Sequence, residues 1–321
     1  MDQRPKLDDV ARAAGVSRSA ASRAINGQPG TTPAVRNRVR EAATLLGFRP
    51  HAAARALATG RADGDRSETI EILIVEPDPN ALGVKPFYGR VMAGVTDAIG
   101  NDDVSLRLRV VSVPPAVDDN PPFGRLLINV PAAAAKRLKS PHTVALGRSA
   151  DDIPFVAPDN VDGARQAAAH LVSSGRRRIG AIFGPDMPCA VERKAGFLGA
   201  AAEAGQSVVS IDGDYTAPTA YAATLRLLAR HPDLDTIFAV CDVTASGVLR
   251  ALRQTGRRVP DDIAVVGFDG SALSEAADLS SVYLPVEEEA ALAVRRVFDP
   301  GLPVARRLPA ALMVRGSSTS P

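Results

Sequence analysis

Four polar side chains near the N-terminus share the outer face of one short segment and have the chemistry to read base edges. They are Arg18, Ser19, Ser22 and Arg23. An arginine guanidinium offers two parallel donors that match the acceptors of guanine in the major groove, and hydroxyl groups can contact bases or phosphates. On one helix face, these side chains predict a surface that binds double-stranded DNA.

Two helical segments separated by a glycine would position this surface. A first helix ends at Gly15, and its apolar residues share one side: Leu7, Val10, Ala11 and Ala14. Ser17 is a suitable N-cap for a second helix from Arg18 to Ile25, which gives a helix-turn-helix arrangement. Thr32 as N-cap and Pro33 at the first helical position predict a third helix.

The positive charge of the chain is concentrated in this region. Residues 1–61 contain 11 Lys or Arg against 4 Asp or Glu, whereas the remainder contains 27 against 32. A compact basic segment binds phosphates through counterion release, and an acidic body is repelled from them. The distribution predicts a DNA-binding head on an acidic body.

Composition and motifs exclude several other classes of protein. A chain of 321 residues with 45% hydrophobic residues is expected to form two or three globular domains, and no apolar run is long enough for a membrane span. The polar N-terminus and the two cysteines, Cys189 and Cys241, predict a cytoplasmic protein with reduced thiols. We find no phosphate-binding glycine loop, nucleophile elbow or clustered metal ligands, so no enzyme activity, cofactor or metal is expected.

The remainder of the chain alternates strand and helix patterns, which predicts a doubly wound α/β fold. Strands are predicted at 70–75, 104–113, 126–130, 143–146, 179–183, 236–240 and 263–266, with helices near 88–99, 161–174, 191–204, 219–229 and 243–254. Ligands of such sheets bind beyond the carboxyl ends of the strands. The loops after Val75, Phe183, Val240 and Phe268 are therefore expected to hold a ligand.

The N-terminal motifs resemble those of the lac repressor and gal repressor family. They are Leu-x-Asp-Val-Ala-x-x-Ala-Gly-Val-Ser from Leu7 to Ser17, then Ser22-Arg23, Ile25-Asn26 and Gly47-Phe48-Arg49-Pro50. The resemblance implies a homodimer that binds a palindromic operator and regulates transcription, most often as a repressor. It also implies a nucleoid-associated protein when DNA is bound.

The same resemblance implies a set of DNA contacts. The residues are Ser17, Arg18, Ser19, Ser22, Arg23, Asn26, Arg36, Arg49, His51, Ala54 and Leu57. Arg18, Ser19 and Arg23 would contact bases, whereas Ser17, Asn26, Arg36 and Arg49 would contact phosphates. Residues 52–58 occupy the place of a hinge helix that orders on DNA, where Leu57 would wedge between base pairs in the minor groove. The alternative for Ser17 is a purely structural cap.

Motifs from Pro158 to Asp269 extend the resemblance to a periplasmic-binding-protein-like sensor with two lobes. They include Pro158-Asp159-Asn160, Arg193-x-x-Gly196-Phe197, Cys241-Asp242 and Val265-Val266-Gly267-Phe268-Asp269. The implied effector is a sugar or related metabolite, bound by Phe87, Tyr88, Asp159, Arg193, Cys241, Asp242 and Asp269. Alternatively, Phe87 is a core residue and Arg193 pairs with Asp269 structurally.

The predicted domains are a headpiece, a hinge with linker, and a two-lobed body. The headpiece covers 1–50, the hinge and linker 51–69, and the body 70–321, with a first lobe at 70–157 and 286–302 and a second at 158–285 and 303–318. The resemblance implies that the chain crosses between the lobes near Asp159, near Pro285 and again at 303–308.

Three features depart from the family pattern. Cys241 stands where Asn is expected, Leu284 stands where Gln is expected, and only 12 residues with four prolines separate Val113 from Leu126, where a helix normally bridges two strands. The short bridge predicts an irregular loop. These departures leave open a regulator whose body has lost effector control and serves only dimerisation, and a further alternative is an enzyme on the same fold.

Overall fold

The computed structural model describes residues 6–25, 30–46, 68–78, 81–100, 102–115, 121–147, 150, 152–303 and 305–319. The chain divides into two compact units. One comprises residues 1–69 with 101–105, and the other comprises 70–100 with 106–321. We call the first unit the headpiece and the second the body.

The headpiece is built from three helices, in agreement with the prediction. They are α1 (Leu7–Ala13), α2 (Arg18–Ile25) and α3 (Pro33–Leu46). Gly15 turns the chain after α1 with a φ of 63°. The Thr32 hydroxyl accepts a hydrogen bond from the Val35 amide at 3.3 Å, which caps α3. Small buried side chains such as Ala21 and Ala24 let the helices approach closely around Val10 and Val39.

The body contains the remaining elements, apart from the first two residues of β1 and of β2, and they are numbered in chain order. Before the first crossover these are β1 (Glu68–Val75), α4 (Ala81–Val84), α5 (Pro86–Ile99), β2 (Val104–Val111), β3 (Gly124–Ile128), α6 (Ala132–Arg137), β4 (Thr143–Leu146) and β5 (Phe155–Pro158). Next come α7 (Asn160–Ser173), β6 (Ile179–Phe183), α8 (Pro188–Glu203), β7 (Val208–Asp212), α9 (Ala217–Arg230), β8 (Thr236–Ala239), α10 (Asp242–Gln254), β9 (Ala264–Asp269), α11 (Ala272–Ala276) and β10 (Ser280–Tyr283). The last are α12 (Val286–Phe298), β11 (Ala305–Leu308) and β12 (Ala311–Met313).

Two six-stranded sheets form the two lobes, so the predicted fold class is confirmed. The first sheet has the order β11-β5-β4-β3-β1-β2, and the second has the order β12-β10-β9-β8-β6-β7. In the first lobe, α12 packs against α5 and against β3, β4 and β5. In the second lobe the four phenylalanines of the core contact one another, with ring centroids 4.2–6.3 Å apart: Phe183, Phe197, Phe238 and Phe268.

The chain crosses between the lobes three times, and the third crossing lies elsewhere than predicted. The first crossing follows β5 and the second follows β10. The third was expected at 303–308, in the second lobe, but β11 pairs in parallel with β5 in the first sheet, from Ala305 opposite Phe155 to Leu308 opposite Pro158. Because backbone hydrogen bonds fix β11 in the first sheet, the crossing lies between Leu308 and Ala311.

The bridge between β2 and β3 is short and irregular where it is described. Residues 112–115 and 121–123 form neither helix nor strand. Both strands nevertheless enter the first sheet, on the two sides of β1.

Among the described residues, no helix is long and apolar enough to cross a membrane.

Candidate DNA-reading surface and effector cleft

Helix α2 presents its polar face to solvent and buries its alanines. Ser17, Arg18, Ser19 and Arg23 are exposed, and Ser22 is half-buried. The Arg18 guanidinium is 3.3 Å from the carboxylate of Asp8, and both side chains are more than half exposed. Such an exposed ion pair contributes little to stability and leaves the arginine able to exchange its partner for a base edge.

The structure assigns a structural contact to two of the predicted phosphate ligands. The Ser17 hydroxyl accepts a hydrogen bond from the Ala20 amide at 3.2 Å and therefore caps α2. Arg36 donates through Nη1 to the Thr31 carbonyl oxygen at 2.7 Å, which ties α3 to the preceding loop. Five further predicted contacts lie outside the described residues: Asn26, Arg49, His51, Ala54 and Leu57.

Arg193 is the central charge of the second lobe. It projects from α8 and is 6% exposed. Its Nε donates to the Asn160 side-chain oxygen at 3.0 Å, and its Nη1 donates to the Val240 carbonyl oxygen at 2.8 Å. Nη1 also lies 3.0 Å from a carboxylate oxygen of Asp269, and the guanidinium carbon is 4.2 Å from the centre of the Phe268 ring. The ring and the carboxylate together compensate for the buried charge.

Asp269 ends β9 in a conformation that favours glycine. Its φ is 103°, and Gly270, which follows, has a φ of 61°. Burial raises the pKa of the Asp269 carboxyl to about 6, although the Arg193 charge opposes this shift. Burial likewise disfavours the charge of Arg193, but the charge of Asp269, together with smaller contributions from Cys189, Tyr215 and Cys241, outweighs it, and the pKa of Arg193 is raised. The pair is therefore ionised at neutral pH.

Asp242 lies beside this pair, and its carboxylate bonds within the second lobe. One oxygen accepts from the Ser271 amide at 2.7 Å and from the Ser271 hydroxyl at 2.8 Å, and the other accepts from the Ser281 hydroxyl at 2.6 Å. Only 1% of Asp242 is exposed. Burial raises the pKa of its carboxyl, and the serine hydrogen bonds oppose that shift. Asp242 supports the loop after β9.

Cys241 is the N-cap of α10. Its sulfur accepts from the Thr244 amide at 3.4 Å and is 3.2 Å from the Thr244 hydroxyl. Burial raises the pKa of the thiol to about 12, so the group is neutral at physiological pH. A neutral, capping thiol offers little hydrogen bonding to a ligand.

The first lobe contributes a polar network at the carboxyl ends of β1 and β3. Glu76 follows β1, and one of its oxygens accepts from the Tyr88 hydroxyl at 2.7 Å and from the Lys85 ammonium group at 2.9 Å. The Asn129 amide donates to the same tyrosine oxygen at 3.3 Å. Burial, with the hydrogen bond and charge of Glu76, raises the pKa of Tyr88, which remains a neutral phenol. Phe87 contacts the Tyr88 ring edge-on, with centroids 5.5 Å apart.

Glu76 and Asn129 of this network were not predicted from the sequence. Both directly follow strands whose side chains are largely buried, at the end of the sheet where ligands bind. Their position directly after a buried strand was the sequence signal that could have identified both residues as site candidates. The loop after Val75 was expected to hold a ligand, but its first residue, Glu76, was not among the candidates.

Asp159 lies at the first crossover and caps α7. Its carboxylate accepts from the Asp162 amide at 3.0 Å, and its own amide donates to the Leu308 carbonyl oxygen at 2.8 Å. The residue is half-buried. The structure therefore gives it a hinge position, next to Asn160, which holds Arg193.

The lobes also meet at Lys85 and Tyr215. The ammonium group of Lys85, from the first lobe, is 5.9 Å from the centre of the Tyr215 ring in the second lobe. Tyr215 has a φ of 66°, and its hydroxyl is 3.7 Å from the Cys189 sulfur. Sequence reasoning gave neither Lys85 nor Tyr215 a role.

The two faces differ in the chemistry that they offer. The α2 face presents exposed arginine and serine donors, which suit base edges and phosphates. The candidate effector residues of the two lobes present paired charges, amide and phenol groups and an aromatic ring, which suit a hydroxyl-bearing organic ligand. Within the described part of the chain, no cluster of three or more His, Cys, Asp or Glu could hold a metal ion.

Two family models match the chain. Residues 6–51 match "Bacterial regulatory proteins, lacI family", and residues 168–318 match "Periplasmic binding protein-like domain". The first match falls on the three-helix headpiece, and the second covers most of the second lobe together with α12 and β11 of the first lobe.

Two curated relatives match along nearly the whole chain. The chain is 36% identical over 349 residues to the HTH-type transcriptional regulator CelR of Thermobifida fusca, covering 98% of each chain. It is 30% identical over 313 residues to Catabolite control protein A of Priestia megaterium, covering 89% of this chain and 90% of that relative.

Solved structures with the same fold include a CelR–cellobiose complex and an operator-bound lac repressor dimer. The first has a TM-score of 0.72 and 32% identity, and it covers 98% of this chain and 100% of that one. The second has a TM-score of 0.70 with 21% identity and covers 99% and 100%, a likeness of fold alone. These relatives are regulators and not enzymes. With a headpiece and a two-lobed body in the same order along the chain, this protein belongs to the lacI family of bacterial transcriptional regulators.

Proposed function

We propose that this regulator represses transcription as a homodimer, in which two α2 helices bind the half-sites of a palindromic operator. The observation that carries the proposal is the exposed face of α2, where Arg18 and Arg23 reach solvent and the apolar side is buried. Residues 51–69 would form the hinge and linker, and the complex would lie at the nucleoid in the cytoplasm. Repression follows where a bound operator overlaps a promoter.

Selection of duplexes from a random pool by the full-length protein tests the proposal. We expect one palindrome with a deformable centre to be enriched at near-physiological salt. On that operator, Arg18→Ala and Arg23→Ala should each cost about 1–3 kcal/mol of binding free energy. Arg12→Ala is the matched control, because Arg12 is exposed on α1 and pairs with Asp9.

Leu57→Ala extends the test to the hinge. It should weaken binding to an operator with a flexible central step more than binding to one with a stiff centre, because only the former is easily kinked. No enriched palindrome, or arginine variants that bind as tightly as the unchanged protein, would contradict the assignment of α2.

For the body we propose a sugar effector that binds between the lobes. Arg193 and Asp269 would donate to and accept from its hydroxyl groups, and Phe87 would pack on a sugar face. Tyr88, through the network with Glu76, would hold the first-lobe side of the site. Asp159 and Asp242 would shape the site from its edges, and Cys241 would contribute packing.

Cellobiose is the first probe, because a relative with 32% identity was solved as a cellobiose complex. At 100 times its dissociation constant, a ligand that binds only the folded state raises stability by about 2.7 kcal/mol. Arg193→Met should abolish this stabilisation, whereas Lys194→Met should retain it, because Lys194 pairs with Asp212 at an exposed position.

A body without effector control is the second candidate. It is favoured by the capping thiol of Cys241 and by Leu284, which is 1% exposed, because neither can replace an amide as a hydrogen-bonding group. No stabilisation by cellobiose or by a panel of mono- and disaccharides, together with operator affinity that none of them changes, would support this candidate.

A further inference from the structure

Arg90 uses its guanidinium in contacts with both lobes. It projects from α5, and its Nε and Nη2 donate to the two carboxylate oxygens of Glu287 at 2.6 and 2.7 Å. Nη1 donates to the Asp269 carbonyl oxygen at 2.9 Å, and Nη2 donates to the Leu284 carbonyl oxygen at 2.8 Å. The guanidinium carbon is 5.3 Å from the centre of the Tyr283 ring.

These contacts are of two kinds: the ion pair with Glu287 lies within the first lobe, and the two hydrogen bonds to carbonyl oxygens join the first lobe to the second. Glu287 is on α12, which packs against α5, so this bidentate ion pair is made within the first lobe. Asp269 ends β9, and Leu284 follows β10, so the two carbonyl contacts reach strands of the second lobe. Burial disfavours the charge of Arg90, but the hydrogen bond and charge of Glu287, together with Tyr283 and Asp269, outweigh it, and the pKa of Arg90 is raised.

Asp269 is therefore held from two sides. Arg193 of the second lobe pairs with its carboxylate, and Arg90 of the first lobe holds its carbonyl oxygen. A non-glycine residue at a φ of 103° is conformationally costly and persists only where its surroundings hold it. A change at the carboxylate that relaxed this backbone would move the carbonyl away from Arg90.

We propose that Arg90 is a positioning residue that links closure of the two lobes to the backbone conformation of Asp269 in the effector site. This inference deepens the proposed function. It rests on that function in one respect, because it takes Asp269 to be a residue that binds the effector. An effector that competes for the Asp269 carboxylate would alter the hydrogen bond between Arg90 and the Asp269 carbonyl oxygen. Through that bond it would change the angle between the lobes. Such coupling requires a segment about which the lobes can rotate, and the three crossovers are the backbone connections at which such a hinge would act.

The distance between the lobes can be measured in the full-length protein by pulsed electron spin resonance. Spin labels are attached at Lys136→Cys on α6 and Arg226→Cys on α9, both exposed, in a Cys189→Ser background. Cys241 stays unlabelled because it is 4% exposed and burial raises its pKa. An excess of unlabelled chain removes distances between protomers.

Two substitutions at Arg90 separate the proposal from a purely structural tether. Lysine can keep the ion pair with Glu287, but one ammonium group cannot also reach both carbonyl oxygens. We expect Arg90→Lys and Arg90→Ala each to raise, by about tenfold, the population of molecules in which the two spin labels are farther apart. Glu287→Gln should have a smaller effect, because the carbonyl contacts of Arg90 remain.

The opposite pattern would overturn the proposal. If Arg90→Lys matched the unchanged protein while Glu287→Gln matched Arg90→Ala, the arginine would only join α5 to α12. Unchanged distances in all three variants would also overturn it. Arg165→Lys is the control, because Arg165 pairs with Glu203 inside the second lobe. Melting temperatures and far-ultraviolet circular dichroism identify any variant that fails to fold.

The outcome is independent of effector and DNA binding, because the samples contain neither. Failure of cellobiose to stabilise the protein would count against the proposed sugar site and leave the distances as they are. Unchanged distances would reject the role of Arg90 and leave the operator and sugar proposals standing.

Discussion

Replacing Glu289 by glutamine should stabilise the body, and the gain should grow with pH. Glu289 lies in the first turn of α12 and is 2% exposed. One carboxylate oxygen accepts a hydrogen bond from the Gly147 amide at 3.0 Å. Burial raises the pKa of this carboxyl to about 8, although the Gly147 hydrogen bond and the charges of Arg193 and Arg90 oppose the shift.

The magnitude follows from the difference between the folded and unfolded states. A pKa raised from 4.5 to about 8 is a difference of about 3.5 units, or about 5 kcal/mol as an upper bound. Because the folded state holds the proton more tightly, Glu289 favours folding most below pH 4.5. That contribution is lost as the pH rises toward about 8. Glutamine removes the ionisation, keeps an acceptor for Gly147 and adds an amide donor that must find a partner. We expect a net gain of about 1–3 kcal/mol at pH 9, and almost none at pH 5.

Urea unfolding at pH 5, 7 and 9 measures this difference. The chain has no Trp, so circular dichroism follows the transition. Glu288→Gln is the matched control, because Glu288 lies on the same turn and is exposed. Asp269 titrates in both proteins and cancels from the comparison. A difference between Glu289→Gln and the unchanged protein that stayed constant from pH 5 to 9, or that decreased, would refute the assignment of a buried, proton-binding carboxyl.

Three further changes have expected outcomes. Gly94→Ala should destabilise the protein by about 1–3 kcal/mol in a thermal melt, because its Cβ would lie 2.2 Å from the Glu287 carbonyl oxygen. Gly89→Ala, with nothing within 4 Å of its Cβ, should be neutral or slightly stabilising, and equal melts for the two would contradict this packing. Arg193→Met should cost about 3–5 kcal/mol in urea, because it leaves a buried carboxylate unpaired, and a loss below 1 kcal/mol would argue against that pair. Ser17→Ala should cost about 1 kcal/mol of headpiece stability through the lost cap, and an unchanged headpiece melt would exclude the capping role.

Local signals predicted the headpiece well. The bounds of α2 match the prediction, and the caps at Ser17 and Thr32 are present as expected. Capping and the spacing of small apolar residues act within a few positions along the chain, so the sequence carries them directly. The DNA contacts predicted there remain predictions, and those at Asn26 and Leu57 lie outside the described residues.

The elements of the body were predicted less completely. Long amphipathic helices and buried strands were predicted to within a few residues, but α12 was missed, as were the short helices α4, α6 and α11 and the short strands β5, β7, β10 and β11. Glu289 occupies a buried position of α12 and interrupts its apolar pattern. The residues that form β11 were assigned to the second lobe instead of the first, because the pairing of β11 with β5 joins residues about 150 positions apart, which a local pattern cannot show.

The sequence by itself determined the class of protein: a basic helix-turn-helix head, an acidic α/β body and the motifs of a known regulator family. Only the tertiary structure decided how the candidate site residues are used. It turned Asp242 inward to two serines, paired Arg193 with Asp269 and brought Arg90 to the same residue. Charge and residue type can be read from a linear chain, but a hydrogen-bond partner depends on which distant strands and helices meet, and that is fixed only when the chain packs.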